Sequence, residues 1–340
     1  MMRFVFFLTL VLLFVTGSGV LASGAKKLGE LAVPTEQYGL LARPFKEGTL
    51  LFVPDIMLGR GVETLMEERG THVPFEKSRA VLSSHDVTIG NFEAAVPERH
   101  TKTKNNVMQF SVRESYIGLL KDVGFDLLSL ANNHSLDYGE EGYQNTRAVC
   151  FAYDVLCVGH GDLVTTYSVA YQTVGDAVVG ILMLNASEDQ VDVENLKKLL
   201  REMEEKTDLT IVFVHWGEEY RTVHTDAQEL LAHVLIDSGA DAIIGHHPHV
   251  VEDVDEYRGK PIFYSLGNFI FDQYWGPEVE EGYAVRVTLK KRSVTYELLP
   301  YIMKERSAPE FIDGEEHTTF LKKYMPTGVF FDGSETYSRE

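Results

Sequence analysis

Short apolar runs recur along this chain, separated by amphipathic stretches, and that alternation limits the folds open to it. The runs cover residues 49–54, 86–90, 125–130, 177–184, 209–214, 241–244 and 261–265. They are apolar on both faces and rich in β-branched residues, as strands buried on both sides must be. Helical patterns over 62–69, 113–123, 140–151, 193–204 and 227–238 lie between them, and Gly124 and Gly239 stand where two of those helices should end. Strand-then-helix alternation predicts an α/β protein with largely parallel sheets. The runs at 282–289 and 294–303 sit close enough to form a hairpin. Residues 26–48 read as a linker and lead-in, and the stretch after Ser307 has a weaker, peripheral pattern. One domain is the simplest division of 340 residues.

Five of the strand-like runs end on residues able to bind a metal. Leu51-Phe52-Val53-Pro54 ends at Asp55, and the run through Ile89 and Phe92 leads to Glu93. The run through Leu130 opens into Asn132-Asn133-His134. Val212-Phe213-Val214 ends at His215, and Ile243-Ile244-Gly245 opens into His246-His247-Pro248-His249. Ligands of open α/β sheets bind beyond the carboxyl ends of the strands, so these tips can meet although they are scattered in sequence. Carboxylate, amide oxygen and imidazole suit divalent Mn, Zn, Fe or Mg, one ion or two, and not soft copper or an iron–sulfur cluster. His134 has the chemistry of a general acid, and Asp137, three residues on, can orient its ring.

Each residue also has an ordinary reading. Asp55 can cap a helix, Glu93 can be a solvated loop charge, and Asn132 and Asn133 can form turns. Three histidines in four residues beside a strand end are harder to explain structurally. Arg60 can hold an anionic group or lie on the surface, and Asn268 can face a cleft or make a turn. Trp216 can wall a site or fill core, and Glu218 and Glu219 read best as a solvated acidic loop. No P-loop, no Gly-x-Ser-x-Gly elbow and no His-Glu-x-x-His is present.

Arg3 followed by the apolar stretch from Phe4 to Val15, with Val20-Leu21-Ala22 after it, reads as an export signal cleaved near Ala22; an uncleaved anchor is the alternative. The expected place is periplasmic, extracellular or at the outer membrane face. With 31 Lys and Arg against 51 Asp and Glu, the net charge is −20. That balance excludes a general nucleic-acid binder, which needs a basic face. The two cysteines, Cys150 and Cys157, match no metal spacing and read as free core thiols, although export permits a bridge.

At these positions the sequence resembles the CapA proteins of poly-γ-glutamate capsule synthesis, within the calcineurin-like metallophosphoesterases. The matching pieces are Asp55-Ile56-Met57-Leu58-Gly59-Arg60, Asn91-Phe92-Glu93, Leu130 to Gly139, His215-Trp216-Gly217-Glu218-Glu219-Tyr220, Gly239-Ala240-Asp241, Gly245 to His249, and Tyr264-Ser265-Leu266-Gly267-Asn268-Phe269. They run in order from about Thr49 to Gln273. The resemblance implies a four-layer αββα sandwich over 49–306, preceded by a leader (1–22) and linker (23–48) and followed by a C-terminal extension (307–340). It implies that Asp55 and His249 bind a first metal, that Glu93 bridges, and that Asn133, His215 and His247 serve a second, with His134 as general acid. His246 adjoins His247 and can take its place. Met57 stands where such phosphoesterases usually have a histidine, and Pro54 where the family usually has Gly. The implied activity is phosphoesterase-type hydrolysis of an envelope polymer or phosphate ester. The alternative is a non-catalytic factor in a membrane complex that assembles or exports an anionic polymer.

Overall fold

Alternation along individual strands sets the layering. The computed structural model describes residues 45–187, 191–291 and 293–324, together with the backbone of 336–339. The expected leader and nearly all of the linker lie outside these residues. In β1 (Gly48–Ile56), Leu50 and Phe52 point to one side and Leu51 and Val53 to the other, all fully buried. Such a strand needs cover on both faces.

The first sheet begins with β1, β2 (Val87–Phe92), β3 (Leu127–Ser129) and β4 (Leu156–Val158), all parallel in that order. The second holds β5 (Val169–Val174), β6 (Ala177–Ala186), β7 (Leu209–Trp216), β8 (Ala242–His246), β9 (Val254–Tyr257) and β10 (Lys260–Phe263), ordered β5-β6-β7-β8-β10-β9. The chain then returns to the first sheet. There β11 (Asn268–Ile270) pairs with β1, and β12 (Glu281–Leu289), β13 (Val294–Glu305) and β14 (Ala308–Phe311) extend the other side. A final strand, β15 (Thr336–Arg339), pairs with β13.

Helices cover the outer faces. On the first sheet, α1 (Arg60–Arg69), the short α2 (Arg79–Leu82), α3 (Glu114–Val123) and α4 (Gly139–Ala152) bring in Val62, Met66, Leu82, Ile117, Leu120 and Val149. On the second, α5 (Val193–Glu204) and α6 (Asp226–Asp237) contribute Leu196, Leu200, Met203, Leu235 and Ile236. Between the sheets, Phe52, Ile89 and Val285 meet Ile181, Ile211, Phe213 and Ile244. The result is the four-layer αββα sandwich. Each fully buried Leu, Ile or Phe contributes about 1.5–3 kcal/mol, and the three layers of apolar contact hold the sheets in register.

Two expectations are corrected. Cys150 and Cys157 are disulfide-bonded, with Cα atoms 6.0 Å apart. The α4 helix ends at Ala152 and the chain turns directly into β4, which brings the two residues into bridging range despite their short separation. The stretch after Ser307 is not wholly peripheral. β14 pairs with β13, and Phe320 of α7 (Gly314–Tyr324) is buried in the core between the sheets.

Candidate metal centre

Pro54 prepares the site by interrupting a ladder. Val53 pairs with Gly90 and Asp55 with Asn91, so the register slips by one residue at Pro54, which has no N–H to offer. The slip directs Asp55 to the strand end, where it also pairs with Asn268 of β11. In the second sheet His215 and His246 are register partners on adjacent parallel strands. The following loop departs sharply from extended geometry, because His247 has φ 102° and His249 φ 61°. Non-glycine residues hold such values uncommonly. Gly245 is required here as well: a Cβ on it would lie 2.0 Å from Tyr264 O and 2.4 Å from Trp216 Nε1.

Five of the expected residues and one neighbour close around Asp55. His246 Nδ1 lies 3.2 Å from Asp55 Oδ1, and His249 Nδ1 lies 3.4 Å from Asp55 Oδ2. His215 Nδ1 is 4.0 Å from Oδ1, while its Nε2 is 2.9 Å from Asn133 Oδ1. Glu93 Oε1 is 3.8 Å from His249 Nε2 and 4.0 Å from His134 Nε2. The backbone N–H of His247 donates to Asp55 Oδ2 at 3.2 Å, and its ring lies 4.4 Å from that of His215. Two sets of donors are close enough to hold an ion: Asp55, His215 and His246, and Asp55, Glu93 and His249. Asp55 belongs to both, whereas the resemblance gives the bridging role to Glu93.

The donors fit a cation. Asp55, Glu93, His215 and His246 are wholly buried, and Glu93 Oε1, His246 Nε2 and His247 Nδ1 have no hydrogen-bond partner among the described residues. Buried polar atoms left this way are costly unless something coordinates them. Burial opposes ionisation of Asp55, but the hydrogen bonds and charges of His246 and His249 hold its carboxyl well below the usual range. Glu93 is raised well above it, by burial first and then by the charge of Asp55. Burial, with the neighbouring imidazoles, drives His215 well below its ordinary value and His247 down to about 3. Burial lowers His246 too, against the opposing pull of Asp55. Imidazoles that burial drives toward the neutral form, with the carboxyl groups of Asp55 and Glu93, make a ligand set for a divalent ion.

The remaining expected residues flank this group. His134 Nδ1 is 2.9 Å from Asp137 Oδ2, and Phe110 stacks on the His134 ring at 3.9 Å. Asn268 is fully buried and its amide is engaged: Oδ1 meets His249 Nδ1 at 3.0 Å, and Nδ2 donates to Gln273 Oε1 at 2.9 Å. It therefore braces His249 from behind instead of facing a cleft. Arg60 is buried, pairs with Asp272, and lies over Phe110 at 4.5 Å. Trp216 is core, and Glu218 and Glu219 are exposed. Met57 is fully buried in the helix-side core, where its sulfur accepts the Gly59 N–H at 3.0 Å.

Asn91 and Asn132 were not singled out as site residues. Asn91 Nδ2 donates to Asp55 Oδ1 at 2.9 Å, and Asn132 Nδ2 donates to Asn91 Oδ1 at 2.9 Å. Asn132 Oδ1 in turn accepts the His134 N–H at 3.1 Å. The signal for Asn91 was its place two residues before Glu93, on the same side of one strand.

The bacterial capsule synthesis protein PGA_cap family model matches residues 49–273. The chain belongs to this family. The PGA_cap match spans all six residues around Asp55 described above. The chain is 31% identical over 297 residues to the PGA biosynthesis protein CapA of Bacillus subtilis, covering 82% of this chain and 78% of that one. It is 35% identical over 249 residues to the capsule biosynthesis protein CapA of Bacillus anthracis, covering 67% of this chain and 60% of that one. A solved structure described as a novel phosphatase from Mycoplasma pneumoniae aligns with a TM-score of 0.50 at 14% identity, over 76% of this chain and 94% of that one. That likeness concerns the fold.

Proposed function

We propose that this chain is a CapA-type factor in the making of an anionic capsule polymer, and that its centre is a divalent-metal site for phosphoesterase-type hydrolysis. One observation carries the reading: side chains from separate strand ends meet at Asp55, and several of their buried donor atoms have no protein partner. A bound divalent ion would supply Lewis-acid stabilisation of charge developing on a reacting oxygen. Asp55, Glu93 and His249 would hold one ion, and Asp55 again, with His215, Asn133 and His246 or His247, a second. His134 stands at the edge of this group with its Nδ1 held by Asp137, so its Nε2 is free to give a proton to a leaving oxygen. The substrate would be a phosphate ester or an anionic envelope polymer. The apolar stretch after Arg3 and the Cys150–Cys157 bridge support work outside the cytoplasm, in or beside a membrane synthesis complex.

A second reading rests on Met57. Its sulfur is turned into the apolar core, so the first ion has one ligand fewer than related phosphoesterases provide. The chain would then keep the centre for assembly or export without hydrolysis. Bound metal and aryl-phosphate hydrolysis, measured for the wild type and for Asn133→Ala, separate the two. Metal-dependent turnover lost in the variant supports the enzyme. Turnover absent with every divalent ion, alongside intact capsule complementation, overturns it.

A further inference from the structure

A cavity of about 470 Å³ lies beside the centre, and its lining includes Arg60, Arg69, Arg306, Tyr220 and Trp275. Three arginines around one cavity are out of keeping with a chain of net charge −20. The cavity also holds Glu68 and Asp272, but Asp272 is paired with Arg60, and Arg69 only loosely meets Glu305 at 3.9 Å. Arg306 rests over the ring of Tyr274 at 5.1 Å, and no carboxylate pairs with it among the described residues.

Arg60 is the fixed member. It is 5% exposed, its guanidinium sits between Phe110 at 4.5 Å and Phe271 at 5.6 Å, and its Nε is buried without a partner. Holding a guanidinium this way costs little further entropy when an anion arrives. Trp275, also in the lining, is 65% exposed, and its ring meets that of Tyr220 edge-on at 5.5 Å, which sets apolar surface next to cationic groups.

Side chains of the cavity wall touch those of the centre. Gln273 donates to Tyr220 Oη at 3.2 Å and accepts from Asn268, the residue that braces His249. The Tyr220 and His249 rings are 6.0 Å apart. On the other side, Phe110 lies against both Arg60 and His134.

We infer that this cavity binds an anionic group of the substrate, carboxylate or phosphate, joined through a short carbon segment to the part that reaches the metal centre. The inference rests on the hydrolytic reading for its orientation, but its test does not need the metal. Arginine forks suit either anion, and the Trp275 face takes the carbon segment. Calorimetric titration of the full chain, dialysed free of metal, uses two probes: tricarballylate for carboxylates and inorganic phosphate for phosphates. The wild type should bind at least one, and the stronger probe names the anion. Arg306→Gln and Trp275→Ala change exposed side chains, so folding should survive. Arg306→Gln should weaken that binding about fivefold or more, the loss of roughly one charge-assisted contact, and Trp275→Ala should weaken tricarballylate, which carries a carbon chain, but not inorganic phosphate. Lys198→Gln, exposed on α5 and outside the cavity lining, should leave binding of the stronger probe within about twofold of wild type. Binding of neither probe by the wild type, or binding of the stronger probe by Arg306→Gln equal to that of the wild type, overturns the inference. Failure of aryl-phosphate hydrolysis alone would strike only at the enzyme reading.

Discussion

The Nδ1 atoms of His215 and His246 lie 2.8 Å apart, and the same atom of His246 is 3.2 Å from Asp55 Oδ1. His215 thus faces Asn133 with one ring nitrogen and His246 with the other. A ligand or a ring that orients a ligand is worth about 10–100-fold in metal affinity. His246→Leu should therefore weaken retention of one ion by that factor in chelator competition. Retention equal to wild type would make His246 a space-filling residue.

Asp55 belongs to both donor sets, so Asp55→Asn should cost both ions where His249→Ala costs mainly one. Metal analysis of purified protein reads the stoichiometry, and circular dichroism checks the fold. Two ions retained by Asp55→Asn would refute the shared role.

His134→Gln should lower hydrolysis by about 10²–10⁴-fold, the range for a lost general acid, with bound metal unchanged. Asp137→Asn should cost less, because it leaves the ring in place and alters only what holds Nδ1. A fall in metal content matching the fall in rate would assign His134 to the ligands.

Glu252 gives the fold a pH dependence of its own. It is buried, Gln228 Nε2 donates to its Oε2 at 2.8 Å, and its Oε1 has no partner. Burial raises its pKa to about 8. The folded chain keeps this proton where the unfolded chain has lost it. Its contribution is therefore complete below the ordinary value of 4.5 and disappears as pH rises through about 8. Glu252→Gln should flatten the fall in stability over that window, by up to a few kcal/mol. Urea unfolding at pH 5 and pH 8, about the two ends of the window, measures it; identical slopes for wild type and variant would exclude Glu252 as the cause.

Cys150→Ser should lower unfolding free energy by about 2 kcal/mol, the chain-entropy value for so short a loop. Denaturant titration under oxidising conditions checks this, and reduction should bring wild type down to the variant.

The α/β alternation and the convergence at Asp55 were legible from strand periodicity and strand ends, whereas the four-layer sandwich was implied by the family resemblance. Runs such as 209–214 are apolar on both faces, and each strand end carries its polar tip to the same rim. Helix 193–204 coincides with α5. Other features depend on contacts that periodicity does not encode. The Cys150–Cys157 bridge arises from how tightly the chain turns from α4 into β4. The bracing role of Asn268 follows from β11 pairing with β1, a strand too short to stand out as an apolar run. His246 and His247 were not separable from sequence, because their difference lies in where the chain leaves β8: His246 stays in the ladder and His247 falls in the loop beyond it.

Glu93 carries a consequence for how the centre is loaded. Burial and the neighbouring charge of Asp55 favour its protonated form, so an arriving cation has to expel a hydrogen ion before that oxygen can coordinate. Uptake of metal is then an exchange reaction, weakened by acid and driven forward by alkali. An unbuffered solution of the protein should acidify on addition of a divalent salt, and a glass electrode would register it.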